Sequence, residues 1–370
     1  SLVGSEMCIR DSSETWQYQA SRVVTAGQYE NRAAAIVNEP ESGRQAAADD
    51  LSHHFGSDPN VVLVKETNGQ SANDPPGVVI PVGETAVFTY RAGNTGNVAL
   101  TPVRLRDDNG TPNDPNDDIF PLPILDGTGS NVGDSNRNGV LDVGEEWQYS
   151  AMRTVVPGLY TNVATYTAQE PATGEQVSDD DLSNHFGAVT GIAIQTLTNE
   201  QDADAAPGPL LEVGSPVTWD YEVSNTGNIG LVIGQILDDN GTPDDPTDDF
   251  VPPAVEDGGF NVGDTNQNNR LDPEEIWRYQ ADHTATPGQY SNVGSVTGQN
   301  PLFGGPVNAA DPTNHFGVLA VADVQKFTNG EDADTFPGIG VPVGSNVAFT
   351  YEGSNLGNIA LTPISLIDDN

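Results

Sequence analysis

Residues 216–225, PVTWDYEVSN, put Val217, Trp219, Tyr221 and Val223 at alternate positions. That is the period-two pattern of a strand with one buried face. Phe88 with Tyr90, and Phe349 with Tyr351, hold the matching places elsewhere, so aromatic side chains keep to that face. The runs IGLVIGQILDD, EIWRYQADHTA and GQYSNVGSVTG read as further strands, punctuated by clusters of Gly, Asn, Asp and Pro. No apolar run with a helical period of useful length interrupts them.

The strand pattern is copied. ETWQYQA, EEWQYSA and EIWRYQA carry Trp16, Trp147 and Trp277, spaced 131 and 130 residues apart. GNTGN, SNTGN and SNLGN, at Asn94, Asn225 and Asn355, and HFG, at His54, His185 and His315, keep the same two steps. The one-residue difference falls in the loop DGTGSN against DGGFN. The chain therefore divides into the C-terminal part of a repeat (13–56), complete repeats at 61–187 and 192–317, and the N-terminal part of another (321–370). Six to eight short strands in about 130 residues predict tandem antiparallel immunoglobulin-like β-sandwiches with acidic loops, an all-β fold. A β-solenoid would need a much shorter period. In PGLYTNVATYT, and in GQYEN and GQYSN, a glycine precedes Tyr160, Tyr29 and Tyr290 at the head of an alternating strand. This resembles the tyrosine corner of immunoglobulin-like domains; an ordinary half-buried strand tyrosine is the alternative.

Charge narrows the partners. With 13 Lys+Arg against 54 Asp+Glu, the formal net charge is −41, which excludes nucleic acid as a natural partner. A hydrophobic share of 36% in recurring short runs separates the chain from a disordered acidic tail. No apolar run reaches the roughly 18 residues of a membrane span. The opening SLVGSEMCIRDS differs in composition from all that follows and resembles translated sequencing-adaptor read-through, so residues 1–12 are left out of the fold. The single cysteine, Cys8, goes with them, leaving no disulfide to hold the repeats. LIDDN stops at Asn370 where two earlier copies continue with GTP, so the chain reads as an internal fragment and the lack of a targeting signal carries no information.

Three loops per repeat concentrate the acid. The first holds Asp202 and Asp204 in TNEQDADAAPG and Asp332 and Asp334 in TNGEDADTFPG, but Ser71 and Asn73 in TNGQSANDPPG. The second runs from Asp107 to Asp118 and from Asp238 to Asp249. There the metal reading and the solvated-loop reading are balanced. The third has the D-x-N-x-N-G-x-x-D-x-x-E spacing of a twelve-residue calcium loop. Asp134, Asn136, Asn138, Asp142 and Glu145 take the side-chain positions, with the Val140 carbonyl at the seventh and Gly139 at the sharp turn. Asp264, Asn266, Asn268, Arg270, Asp272 and Glu275 repeat the set, with Asn269 at the turn. The loop leads into a strand, EEWQY, so it is no helix-loop-helix sensor. Asx-turns account for scattered Asn and Asp, whereas the glutamate at position twelve in both copies points to Ca2+. Both readings stay open here.

Together SNTGN, DDNGTPDDPTDD, DTNQNNRLDPEEIWRY, TPGQYSNVGSVTG and TNGEDAD resemble the immunoglobulin-like repeats of large bacterial surface and adhesin proteins. The calcium-loop stretch is similar to the B-type repeats of serine-aspartate-repeat adhesins, although Trp147 and Trp277 follow the loop where an aromatic there precedes it. The resemblance covers residues 13–370. It implies a secreted or cell-surface spacer or adhesive module, some of them stiffened by calcium, with cell-surface or matrix ligands engaged through other parts of the full protein.

Catalysis is the weaker alternative. Carboxylate pairs would suit a glycosidase, but they recur in every repeat, whereas an active site is normally built once. His54, His185 and His315 stand alone in their repeats, as packed boundary residues do, and His53 and His283 have no counterpart. No nucleophile elbow, phosphate loop or dinucleotide fingerprint is present. A glycan- or protein-binding module is the stronger rival, with Trp147 and Trp277 as stacking candidates whose exposure decides.

Overall fold

The computed structural model describes residues 15–363 and 365–369. The expected read-through segment 1–12, with Cys8, lies outside the described residues. Every regular element among them is a strand, and the chain forms two compact units, Ser1–Gly187 and Ala188–Asn370.

The first unit opens with an antiparallel hairpin, β1 (Gly27–Asn38) and β2 (Gln45–Gly56). Eight strands follow: β3 (Val61–Thr67), β4 (Val78–Pro81), β5 (Thr85–Asn94), β6 (Thr101–Asp107), β7 (Leu122–Pro123), β8 (Glu146–Thr154), β9 (Gly158–Gln169) and β10 (Gln176–Ala188). They make two sheets ordered β3-β5-β8-β7 and β4-β10-β9-β6. This is the ABED and CFG arrangement of an immunoglobulin sandwich, with the first strand split so that its second half joins the other sheet.

The second unit repeats the plan with β11 (Ile192–Thr198), β12 (Gln201–Asp202), β13 (Leu210–Glu212), β14 (Pro216–Asn225), β15 (Val232–Asp238), β16 (Glu256–Asp257), β17 (Phe260–Asn261), β18 (Ile276–Thr284), β19 (Gly288–Gln299) and β20 (Pro306–Val318). Its sheets are ordered β12-β11-β14-β18 and β13-β20-β19-β15, β13 running parallel to β20, with a small β16-β17 ribbon. β21 (Ala322–Thr328), β22 (Glu331–Asp332) and β23 (Phe349–Asn355) form a three-stranded sheet ordered β22-β21-β23.

The alternation read from sequence selects the core. In β5 the inward residues are Ala86, Phe88, Tyr90 and Ala92, and in β14 Val217, Trp219, Tyr221 and Val223, all buried. Ala164, Tyr166 and Ala168 of β9 face the first set across the sandwich. Each large apolar side chain so buried stabilises the fold by about 1.5–3 kcal/mol. A register shift between Pro102 and Arg104 interrupts the β6–β9 ladder, and its counterpart lies between Ile233 and Gln235. Beyond the first shift, Leu105 and Asp107 point inward.

The tyrosine-corner expectation is corrected. The Tyr160 hydroxyl donates to Asn109 Oδ1 at 3.1 Å, and Tyr290 to Asn240 Oδ1 at 3.3 Å. The partner is a side chain in the loop after β6 or β15, not backbone a few residues upstream. The tyrosine therefore ties the head of β9 or β19 to that loop rather than closing its own turn.

Candidate functional site

The twelve-residue loops sit between the edge of one sheet and the start of β8 or β18. Each is pinned by a leucine at its eighth position. Leu141 exchanges two backbone hydrogen bonds with Leu100, at 2.9 and 3.0 Å, and Leu271 does the same with Leu231, at 2.8 and 3.0 Å. All four leucines are buried. Around that anchor the backbone coils tightly, with positive φ at Arg137, Gly139 and Gly144 and, one copy on, at Gln267, Asn269 and Glu274.

Inside the coil the two copies make the same bonds. Asp134 accepts the N–H groups of Asn138 (3.2 Å) and Gly139 (3.0 Å), and Asp264 those of Asn268 (3.1 Å) and Asn269 (2.9 Å). The carboxamide oxygens close Asx-turns: Asn136 Oδ1 takes the Asn138 N–H at 3.0 Å and Asn138 Oδ1 the Val140 N–H at 2.7 Å. In the second copy Asn266 takes the N–H of Asn268 and Asn268 that of Arg270, at 3.1 and 2.7 Å. The amide nitrogens of Asn136 and Asn138 converge on Asp142 Oδ2, at 2.6 and 2.8 Å. Those of Asn266 and Asn268 meet Asp272 Oδ2 at 2.8 and 2.7 Å.

Glu145 faces the other way. Its Oε1 accepts Ser135 N–H and O–H, at 2.9 and 2.6 Å, and its Oε2 accepts Asp142 N–H and Trp147 Nε1–H, at 3.1 and 3.2 Å. Burial pushes its carboxyl up, but the Ser135, Asp142 and Trp147 bonds outweigh that and hold it below the usual range. Glu275 repeats the bonds with Thr265, Asp272 and Trp277.

All the side chains named from sequence thus come together in each copy, but as a hydrogen-bonded knot. Oxygen donors of the kind calcium prefers are present in kind and spacing. As they stand, the carboxamides turn nitrogen toward Asp142 and Asp272. Among the described residues no three Asp, Glu, His or Cys side chains form a metal-holding group.

In the second loop the carboxylates are tied to the protein. Asp108 Oδ1 accepts Gly110 N–H and Val163 N–H, both at 2.9 Å, and Asp118 pairs with Arg106 in a two-pronged ion pair. In the first loop of the second copy, a hydrogen bond to Asp202, with Asp311 nearby, raises the Asp204 carboxyl above its ordinary value.

Trp147 and Trp277 are 7% and 8% exposed, packed in the cores of their sandwiches, and offer no stacking surface.

Sequence reading missed one cluster. Lys65 of β3 is fully buried, its Nζ 2.7 Å from Asp107 Oδ2 and 3.2 Å from the Asn162 backbone oxygen. The Tyr90 hydroxyl donates to the same Asp107 oxygen at 2.7 Å, and Asn162 Nδ2 to the other at 2.5 Å. Burial pulls the Lys65 pKa down against the opposing pull of Asp107. The signal was present in VVLVKET, where Lys65 occupies the core-facing register with Val61, Leu63 and Thr67.

No family model matches the chain, and no curated protein sequence matches it. Among solved structures it is similar to the full ectodomain of mouse nectin-like molecule 4, at 9% identity over 79% of this chain and 95% of that one, TM-score 0.31. It is similar to the C-terminal domain of the AgI/II polypeptide BspA of Streptococcus agalactiae, at 11% identity over 69% and 99%, TM-score 0.24. The fibronectin(III)-like modules of CbhA from Clostridium thermocellum align at 9% identity over 69% and 94%, TM-score 0.21. Superpositions this partial say nothing of what the chain does; the immunoglobulin-like assignment rests on its own strand order.

Proposed function

We propose that this chain is part of an extracellular bacterial surface protein, in which it serves as a non-catalytic repeat spacer stiffened by calcium at the loops 134–145 and 264–275. The observation that carries the reading is the bond-for-bond identity of the two loops, which gather the same oxygen-bearing side chains at one point beside a buried leucine. A repeated structural device fits a spacer, whereas an active site would be built once. Calcium has to displace the carboxamide nitrogens of Asn136 and Asn138 from Asp142, turning their oxygens inward, and likewise at Asn266, Asn268 and Asp272. The rival glycan-binding reading loses its stacking platform, because Trp147 and Trp277 are core residues.

The test is calorimetric titration of the chain with calcium, paired with thermal melting. Sodium at matched ionic strength is the control, because screening of the −41 charge also stabilises. A calcium-specific rise in melting temperature supports the proposal. An equal shift with sodium leaves the loops as polar turns and the spacer without its metal.

A further inference from the structure

One position breaks the repeat. Arg22, Arg153 and His283 hold the same place in successive copies, each six residues after its matched tryptophan. Arg22 lies over the ring of Tyr29, 3.8 Å from its centroid, and Arg153 over that of Tyr160, at 3.9 Å. The Arg153 guanidinium also donates to Asn109 Oδ1 at 2.5 Å. A flat cation laid on a tyrosine and held by a carboxamide is thus what the fold places at this corner.

The second complete copy keeps the receptor and loses the cation. Tyr290 and Asn240 stand for Tyr160 and Asn109, and the Tyr290 hydroxyl still reaches Asn240 Oδ1 at 3.3 Å. His283 stacks on Trp219, ring centroids 4.9 Å apart, and lies 5.2 Å from Tyr290. An imidazole is shorter than an arginine side chain, and an open cavity of about 390 Å³ remains, lined by Trp219, Asn240, Phe250, Asp282 and His283 among others. Two further exchanges suit a cation. Trp219 replaces Phe88, a ring with weaker attraction for positive charge, and Asp282 replaces Met152, bringing a carboxylate to the wall. Burial holds the His283 imidazole below its ordinary value, so at neutral pH it adds no opposing charge.

We propose that this cavity docks an arginine side chain of a partner protein, whose guanidinium takes the place that Arg153 fills from within the first complete copy. Asn240 Oδ1 and the Asp282 carboxylate accept its N–H groups, and its flat face rests against the aromatic wall. A chain of net charge −41 draws a cationic partner and repels an anionic one. Lysine fits less well, because an ammonium has neither the flat face nor the fork of donors. The second complete repeat thereby offers a contact that the first blocks with its own side chain, and the site is independent of the calcium loops.

The test is titration of the full chain, at physiological ionic strength, with a blocked glycine pentapeptide carrying a central arginine, followed by calorimetry and tryptophan fluorescence. One site is expected, binding this peptide roughly tenfold more tightly than the same peptide with lysine or citrulline. His283→Arg, which restores the residue of the other copies, should abolish binding, and Asp282→Met, the residue of the first complete copy, should weaken it several-fold. Asp282 is exposed, so its variant reports even where His283→Arg disturbs the aromatic stack. Absence of saturable binding overturns the proposal. Equal binding of the arginine and lysine peptides, or binding unchanged in both variants, overturns it too, by marking simple attraction to the acidic surface.

Discussion

The His185 imidazole packs 4.6 Å from the Tyr160 ring, centroid to centroid, fully buried and with neither nitrogen hydrogen-bonded among the described residues. Burial first, then the charges of Arg153 and Lys65, pulls its pKa from 6.5 down to about 4. The unfolded chain takes up a proton near 6.5, whereas the folded chain resists until about 4. The stability His185 permits is therefore fully present above that window and is lost as pH falls through it, by on the order of 3 kcal/mol. His315 in the second copy is lowered in the same direction, by burial and then by His283. Acid also relieves repulsion among the carboxylates, so the decisive comparison is between wild type and His185→Phe. The variant should lose less stability between pH 7 and pH 4 (roughly the window set by the shift), as read by hydrogen exchange in peptides of the first unit.

Glu145 and Glu275 test the calcium proposal. Both oxygens of each accept hydrogen bonds, and position twelve of such a loop supplies two oxygens and a charge. Free calcium at about 100-fold over the dissociation constant should add roughly 2.7 kcal/mol per site. Glu145→Gln or Glu275→Gln should cut that gain, and magnesium, which demands tight octahedral geometry, should substitute poorly. Differential scanning calorimetry with calcium, magnesium and chelator checks all three outcomes.

Two glycines, one just before the first loop and one within it, should respond very differently. A Cβ at Gly133 would stand 1.7 Å from the Glu146 carbonyl oxygen, and one at Gly263 would stand 1.7 Å from that of Ile276. Gly133→Ala must therefore push the loop off β8 and cost about 3 kcal/mol or more. Gly139 has open space around it and a φ of 75°, where Asn269 of the other copy has 58°. Gly139→Asn should change stability by less than about 1 kcal/mol. Urea unfolding of the two variants separates a close backbone contact from a conformational preference.

Asn94 explains the GNTGN motif. Its Nδ2 donates to the carbonyls of Val98 and Leu141, at 2.8 and 2.9 Å, while its Oδ1 accepts the Gly96 N–H at 3.0 Å. One buried carboxamide thus holds the turn after β5 to the calcium-type loop, as Asn225 does with Ile229 and Leu271. Asn94→Ala strands these groups and should cost about 2–4 kcal/mol, measured by the same unfolding assay.

The alternation of apolar residues was enough to name several strands and, in PVTWDYEVSN, the buried face. Val217, Trp219, Tyr221 and Val223 face inward because side chains along a strand alternate, whatever the strand pairs with. The repeat also followed from the chain alone, since matched motifs at matched spacing must fold alike. Ligand spacing brought Asp134, Asn136, Asn138, Asp142 and Glu145 into one loop, because twelve consecutive residues cannot stray far. Long-range pairings were decided elsewhere. Which oxygens of that loop point inward depends on the backbone coil around Leu141 and its bond to Leu100, 41 residues away in sequence. Whether Trp147 meets solvent depends on the facing sheet. Lys65, Asp107 and Asn162 stand on β3, β6 and β9, and only closure of the sandwich, helped by the register shift that turns Asp107 inward, sets one carboxylate between an amine and a carboxamide. Local periodicity carries no information about such meetings, because they are fixed by how two sheets stack.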